Sequence, residues 1–269
     1  MSQNRQTTPM VTIPLEASVE GLAEEHAGEF QIPTHQHDVP QLIYATAGVM
    51  TVETAQGAWV VPPERAVWVP PGVSHSIDMK GRTRFRTLYI RSRDAPLRRK
   101  GCTVVRVTPL LRECIERFFA FGPNWSDSRS DARIVRVMLD EIRGAPTAPL
   151  HLPMPSDERA YQVAIAIRSD PSVRRSIRAW AKTAGASERT LERLWVNEVG
   201  MTLGRWQQQA RLLRALELLA LGHPVTAVAL EVGFETPSAF IAMFRQAFGT
   251  TPARYFRFAP HERIGTRRA

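Results

Sequence analysis

Cysteine is nearly absent: of 269 residues only Cys102 and Cys114 carry a thiol. Two such residues, with no CxxC or Cys/His zinc spacing, build neither a disulfide framework nor a zinc knuckle, so reduced thiols are expected. Long apolar runs are missing too. No stretch approaches the roughly 18 consecutive apolar residues of a membrane span. In place of the apolar centre of a secretion leader stand Glu16, Glu20, Glu24, Glu25 and Glu29. The expected location is therefore the cytoplasm, away from any membrane. Lysine is scarce as well: Lys80, Lys100 and Lys182 are three among 35 basic residues. The others are arginines, whose planar fork suits phosphates and base edges.

What is present is a composition able to fold, 43% hydrophobic and 23% charged, with net charge +9. The charge is not spread evenly. Residues 1–159 hold 19 basic and 18 acidic side chains, whereas residues 160–269 hold 16 and 8. An anionic partner therefore belongs to the C-terminal part.

Residues 41–91 read as short β segments punctuated by Gly48, Gly57, Pro62-Pro63 and Pro70-Pro71-Gly72. Alternation at Met50 and Val52, and at Phe85, Thr87 and Tyr89, buries one face of each strand. A small β-barrel over residues 1–108 is expected. Leu110, Leu111, Cys114, Ile115, Phe118 and Phe119 then fall at helical spacing, as do Ile134, Val135, Met138 and Ile142. Residues 109–143 thus form a helical region, either packed on the barrel or serving as a homodimer surface. Pro146, Pro149, Pro153 and Pro155 make residues 144–158 read as a linker. The expected class is a multidomain α+β chain that ends in an all-α domain, residues 159–269.

That last domain repeats itself. Leu191, Trp195 and Gly200 answer to Phe240, Phe244 and Gly249 at a constant offset of 49. Ala181 with Gly185 answers to Ala229 with Gly233, small where two helices cross and free to take positive φ at the turn. Each unit fits a helix-turn-helix. Ser187 and Thr190 open the second helix of the first unit. Thr236 caps its counterpart, with Pro237 at the first helical position.

Within residues 188–198, Leu191, Leu194 and Trp195 point inward, leaving Arg189, Glu192, Arg193 and Val196 outward. Arginine grips guanine O6 and N7, and glutamate accepts from cytosine N4. The plain alternative is a solvated face of i,i+4 ion pairs. The second such helix, 238–247, buries Phe240, Phe244 and Phe248 and exposes Ser238, Ala239, Ala242 and Arg245, a poorer set for base reading. Residues 203–221, with Trp206, Ala210, Leu213, Leu216 and Ala220 as packed stripe, join the units. Such a helix spans about 28 Å, close to the roughly 34 Å between successive major-groove entries on one DNA face.

Gly233-Phe234, Ser238 and Phe240, followed by Phe244, Phe248-Gly249, Pro252 and Tyr255, reproduce a pattern that resembles the double helix-turn-helix domain of AraC/XylS-family transcription regulators. The resemblance covers residues 177–256. It implies double-stranded promoter DNA as partner, RNA polymerase as a further one, activator or repressor activity and a dimer. Base-reading positions carried across are Arg189, Glu192 and Arg193, then Pro237, Ser238, Ile241 and Ala242. The family often has a basic residue where Ala242 stands.

In the first half, His35, His37 and Gln41, then Pro70-Pro71-Gly72 and His75, resemble the two-part signature of cupin barrels. Metal-binding cupins place an acid where this chain has Gln41. No cofactor is expected on that ground, with His35, His37 and His75 standing as candidate ligands for a divalent metal. The same histidines, with Gln41, Tyr44, Trp59, Trp68 and Phe85, are candidates for a small-molecule effector pocket. The run from Gly48 to His75 is similar to a branch that includes nitroimidazole-resistance regulators. The resemblance as a whole implies an effector-controlled regulator and no enzyme. The alternative is a metal-dependent cupin enzyme carrying an accessory DNA-binding domain.

Overall fold

A computed structural model describes residues 8–257, except residues 98, 100, 123–124, 126–129 and 149. The outermost parts of the first and last expected domains, residues 1–7 and 258–269, therefore lie outside the described residues.

The N-terminal half is one nine-stranded sheet rolled around a core. Its strands are β1 (Met10–Val11), β2 (Val19–His26), β3 (Phe30–His37), β4 (Gln41–Thr54), β5 (Gly57–Val61), β6 (Arg65–Val69), β7 (His75–Ile90), β8 (Thr103–Arg106) and β9 (His151–Pro153). The long strand β7 lies antiparallel to β2, β3 and β4 and organises the sheet. Side-chain alternation then divides the residues between two clusters. Ile43, Ala45, Ile77, Met79 and Phe85 join one core cluster. Leu42, Tyr44, Ala66, Trp68 and Leu88 join the other.

The second cluster is closed by α1 (Pro109–Phe119) and α2 (Asp131–Gly144). Thr108 caps α1 by accepting from the Leu111 amide at 3.1 Å, and Pro109 starts the helix where no N–H is needed. The stripe read as a candidate dimer surface is spent on the barrel. Leu111, Cys114, Ile115, Phe118, Met138 and Ile142 are all buried against it. The two cysteines are free, Cys114 within that stripe.

Residues 144–158, expected as a linker, are stitched to the barrel. Val105 bridges Thr147, the Ala148 amide donates to the Val104 carbonyl at 2.9 Å, and β9 pairs antiparallel with β5. The prolines hide this strand because each removes a donor, which a strand at the edge of a sheet tolerates. Leu150 and Leu152 supply the burial, at 0% and 3% exposed.

The C-terminal half is helical: α3 (Glu158–Ser169), α4 (Ile177–Thr183), α5 (Glu188–Leu194), α6 (Leu203–Ala220), α7 (Val225–Glu231), α8 (Pro237–Phe248) and α9 (Pro252–Arg257). A π-helical turn, Trp195–Val199, extends α5. Trp206, Ala210, Leu213 and Leu216 of α6 join the same core cluster as Val60 and Leu152 of the barrel. Trp206 Nε1 donates to the Pro153 carbonyl at 2.6 Å, and Gln209 Nε2 donates to the His151 carbonyl. Helix α6 therefore serves as spine of its own domain and as contact with the barrel.

Candidate functional site

Two helix pairs, α4–α5 and α7–α8, stand where the repeat in the sequence places them. Gly185 and Gly233 take φ of 62° and 85° at the two turns. Ser187 accepts from the Thr190 amide at 3.1 Å, and its hydroxyl also meets Thr190 Oγ1 at 2.8 Å. Thr236 accepts from the Ala239 amide at 3.2 Å. Ser187, Thr190 and Thr236 therefore hold the helix starts.

On α5, Leu191 is fully buried and Trp195 of the following π turn packs edge-on against Trp206, ring centroids 5.6 Å apart. Arg189, Glu192 and Arg193 face out. None of the three has a side-chain hydrogen bond or ion pair among the described residues, so the face is not a lattice of i,i+4 pairs. Val196 shares it, 52% exposed. On α8, Phe240 and Phe244 are buried, while Ser238, Ala242 and Arg245 are exposed and Pro237 and Ile241 half-buried. Met243, which the repeat does not single out, is buried with the phenylalanines. Arg245 is the cation that α8 offers to an anionic partner.

The π turn that extends α5 is anchored at its far end. Glu198 Oε2 accepts from the Ser156 amide at 2.6 Å, the Ser156 hydroxyl at 2.8 Å and the Asp157 amide at 3.0 Å. The Asp157 amide first, then the two Ser156 donors, hold the Glu198 carboxyl below its usual range. Nothing in the sequence spacing flags this contact, because its partners lie 41 and 42 residues away.

In the barrel, β3 and β7 bring His35 opposite His75, with a register shift between Ile32 and His35. His37 lies two residues on, and the three rings sit with centroids 4.4 to 5.5 Å apart. Gln41, 1% exposed, reaches His75 Nε2 with Oε1 at 3.1 Å and donates from Nε2 to Thr87 Oγ1 at 2.9 Å. Burial depresses the His37 pKa, and pushes that of His75 down to about 4. Burial thus favours the neutral form of both rings.

Four residues of the expected pocket do not join this group, Phe85 being packed in the core cluster with Ile43 and Met79. Tyr44 and Trp68 belong to the cluster under α1 and α2, because alternation along β4 and β6 turns them to the other face of the sheet. Trp59 stacks on His151 of β9, centroids 4.2 Å apart. His35, His37, Gln41 and His75 remain together.

Between the two halves lies an ionic cleft of about 300 Å³ that no sequence spacing flags. Glu217 of α6 accepts from Thr51 Oγ1 at 3.3 Å and meets Lys80 Nζ at 3.6 Å and Arg214 Nη1 at 3.0 Å. Arg168 of α3 pairs with Glu53 of β4 on the same wall.

A nine-stranded sheet that buries convergent polar groups, joined to two helix-turn-helix units that expose arginine, defines a DNA-binding transcription regulator with a ligand-binding domain. Residues 16–134 match the AraC-like ligand binding domain, and residues 180–257 match a helix-turn-helix domain. The chain is 34% identical over 232 residues, 86% of its own length and 85% of the other's, to the HTH-type transcriptional regulator NimR of Escherichia coli strain K12. It is 28% identical to the HTH-type transcriptional regulator RipA of Corynebacterium glutamicum over 80% of this chain and 61% of that one. Regulatory protein SoxS of Escherichia coli strain K12 is 34% identical over 76 residues, 28% of this chain and 71% of that one. The chain belongs to the AraC family of transcription regulators. These relatives are regulators rather than enzymes, so the metal-dependent enzyme reading falls.

Proposed function

We propose that this regulator reads a specific promoter sequence through Arg189, Glu192 and Arg193 of α5, and that a small ligand in the barrel controls it in the cytoplasm. The observation that carries the reading is the α5 face. Three hydrogen-bonding side chains project without internal partners from a helix fixed at its start by Ser187 and at its base by Leu191 and Trp195. A side chain free of internal bonds loses none when it meets a base edge. Helix α8, with small Ser238 and Ala242 beside Arg245, supports phosphate contact and shape readout more than base reading.

The test is footprinting on the DNA upstream of this gene and its neighbours, followed by binding isotherms at physiological salt. Specific DNA binds about 10³-fold or more tighter than random duplex. Equal affinity for the two overturns sequence-specific reading.

A further inference from the structure

We propose that His35, His37 and His75 form a site for a divalent transition ion of the zinc, nickel or copper class, with the Gln41 amide oxygen beside it. Among the described residues these three histidines bring one ligand nitrogen each to within 4.8 Å of the others. The strands account for the convergence. His35 and His37 are two residues apart on β3 and so share a face, and His75 lies directly across from His35 on β7.

The second observation is the direction of the protons. His35 Nδ1 contacts the Pro33 carbonyl at 2.7 Å, and His75 Nδ1 contacts the Val73 carbonyl at 2.9 Å. A carbonyl only accepts, so in His35 Nδ1 carries the proton and Nε2 keeps its lone pair, and in His75 the same holds when its single proton goes to Val73 rather than to the Gln41 oxygen at Nε2. This is the orienting bond that metal-ligating histidines make through their other nitrogen.

The third observation is a mismatch that a cation resolves. Gln41 Nε2 donates to Thr87 Oγ1, which in turn donates to the Leu42 carbonyl at 3.3 Å. That chain of donors turns Gln41 Oε1 toward His75 Nε2, 3.1 Å away. With the His75 proton on Nδ1, two lone pairs face each other there; with it on Nε2, the Val73 carbonyl loses its donor instead. Beside them both ring nitrogens of His37, a residue 4% exposed, are buried with no side-chain partner, the Val11 backbone being the polar group that approaches the ring. An unsatisfied buried polar atom is expensive, and a bound ion would satisfy His37 and separate the two acceptors together.

The donor set selects the ion. Three imidazoles and an amide oxygen suit zinc, nickel or copper, whereas magnesium and calcium ask for carboxylates. Metal–nitrogen bonds of about 2.0–2.1 Å put neighbouring donors roughly 3.0–3.4 Å apart. Gln41 and His75 already stand at 3.1 Å, and the histidine nitrogens, now within 4.8 Å of one another, draw in by up to about 1.5 Å around an ion. With no anionic protein ligand the ion would keep its full charge and an open position, where an anionic group of an effector fits. The site stands or falls independently of whether α5 reads DNA.

The test uses the purified full-length protein, stripped with chelator and titrated with Zn²⁺ and with Co²⁺ against a competing metal dye. The expected result is one ion per chain, with a visible Co²⁺ absorption band from bound nitrogen. His35→Ala should weaken binding by about 100-fold or more, since even partners of a ligand alter affinity 10–100-fold. Gln41→Glu should tighten it by adding a negative ligand. His35 is only half-buried, so this variant is expected to fold where His75→Ala does not, and circular dichroism checks both. Zinc uptake retained in full by His35→Ala, or a Co²⁺ titration without a band, overturns the proposal.

Discussion

Arg193 and Arg245 carry the same charge in repeated units, yet under the proposed reading their surroundings suit them to different work. Arg193 projects from α5 beside Glu192 and Arg189, whereas Arg245 projects from the last turn of α8 among Ala242 and other short or apolar side chains. A side chain reading a base loses affinity at one position, and one gripping phosphate loses it everywhere. Arg193→Ala should therefore cost about 1–3 kcal/mol on the preferred sequence and relax the preference at one base pair. Arg245→Ala should weaken all sequences alike and lower the slope of log affinity against log salt by about 1. Isotherms at several salt concentrations, on the preferred site and its point variants, separate the two. A uniform loss for Arg193→Ala would move that residue to the phosphates. The outward set of α5 was legible in the sequence, since Leu191 and Trp195 fix which side is buried.

At the scale of elements, the two turns test each other. An added Cβ at Gly233 would lie 2.8 Å from the Ser172 backbone, while at Gly185 it would meet nothing within 4 Å. Both positions have positive φ, which costs an ordinary residue about 1–2 kcal/mol. Gly185→Ala should lose about that much in urea unfolding, and Gly233→Ala more, with unchanged m-value. Equal losses would show that the Ser172 segment moves aside freely. The tie at Glu198 is pH-dependent in a fixed sense. Its folded pKa is depressed, so its contribution is present above the ordinary carboxylate range and is lost as pH falls through the lowered value. The stability difference between wild type and Glu198→Gln should accordingly shrink on acidification, measured by denaturant titration at several pH values.

Helices and caps were readable because period and capping chemistry are local. Strand β9 was not, because its evidence is a pairing partner some ninety residues away and its prolines mimic a linker. The misplacement of Tyr44 and Trp68 has a local cause. Tyr44 stands three residues from Gln41 on one strand, an odd step that puts them on opposite faces.

On the scale of the whole molecule, the nearly neutral barrel and the basic domain are joined by a relay of charges. Lys80 and Thr51 on the barrel hold Glu217 of α6, Arg214 holds Glu217 and also Glu231 at 3.2 Å, and Glu231 ends α7, the first helix of the second unit. A second contact places the Arg65 guanidinium over the Tyr255 ring of α9, 5.4 Å from its centroid. A change of barrel shape thus has a physical route to the helices, through side chains that lie off the outward faces of α5 and α8. Glu217→Gln keeps an acceptor for Thr51 but removes the charge that holds Lys80 and Arg214. The three charged groups are partly solvated, so the cost should be modest, about 1 kcal/mol in global stability. The local effect should be larger. Amide exchange should rise along β4 and at the C-terminal end of α6, while α5 keeps its protection, and affinity for the preferred DNA should change although no DNA-facing residue has been touched. Unchanged exchange in β4 together with unchanged DNA affinity would show that Trp206, Gln209 and the apolar contacts of α6 with Val60 and Leu152 hold the two domains without help from the charges.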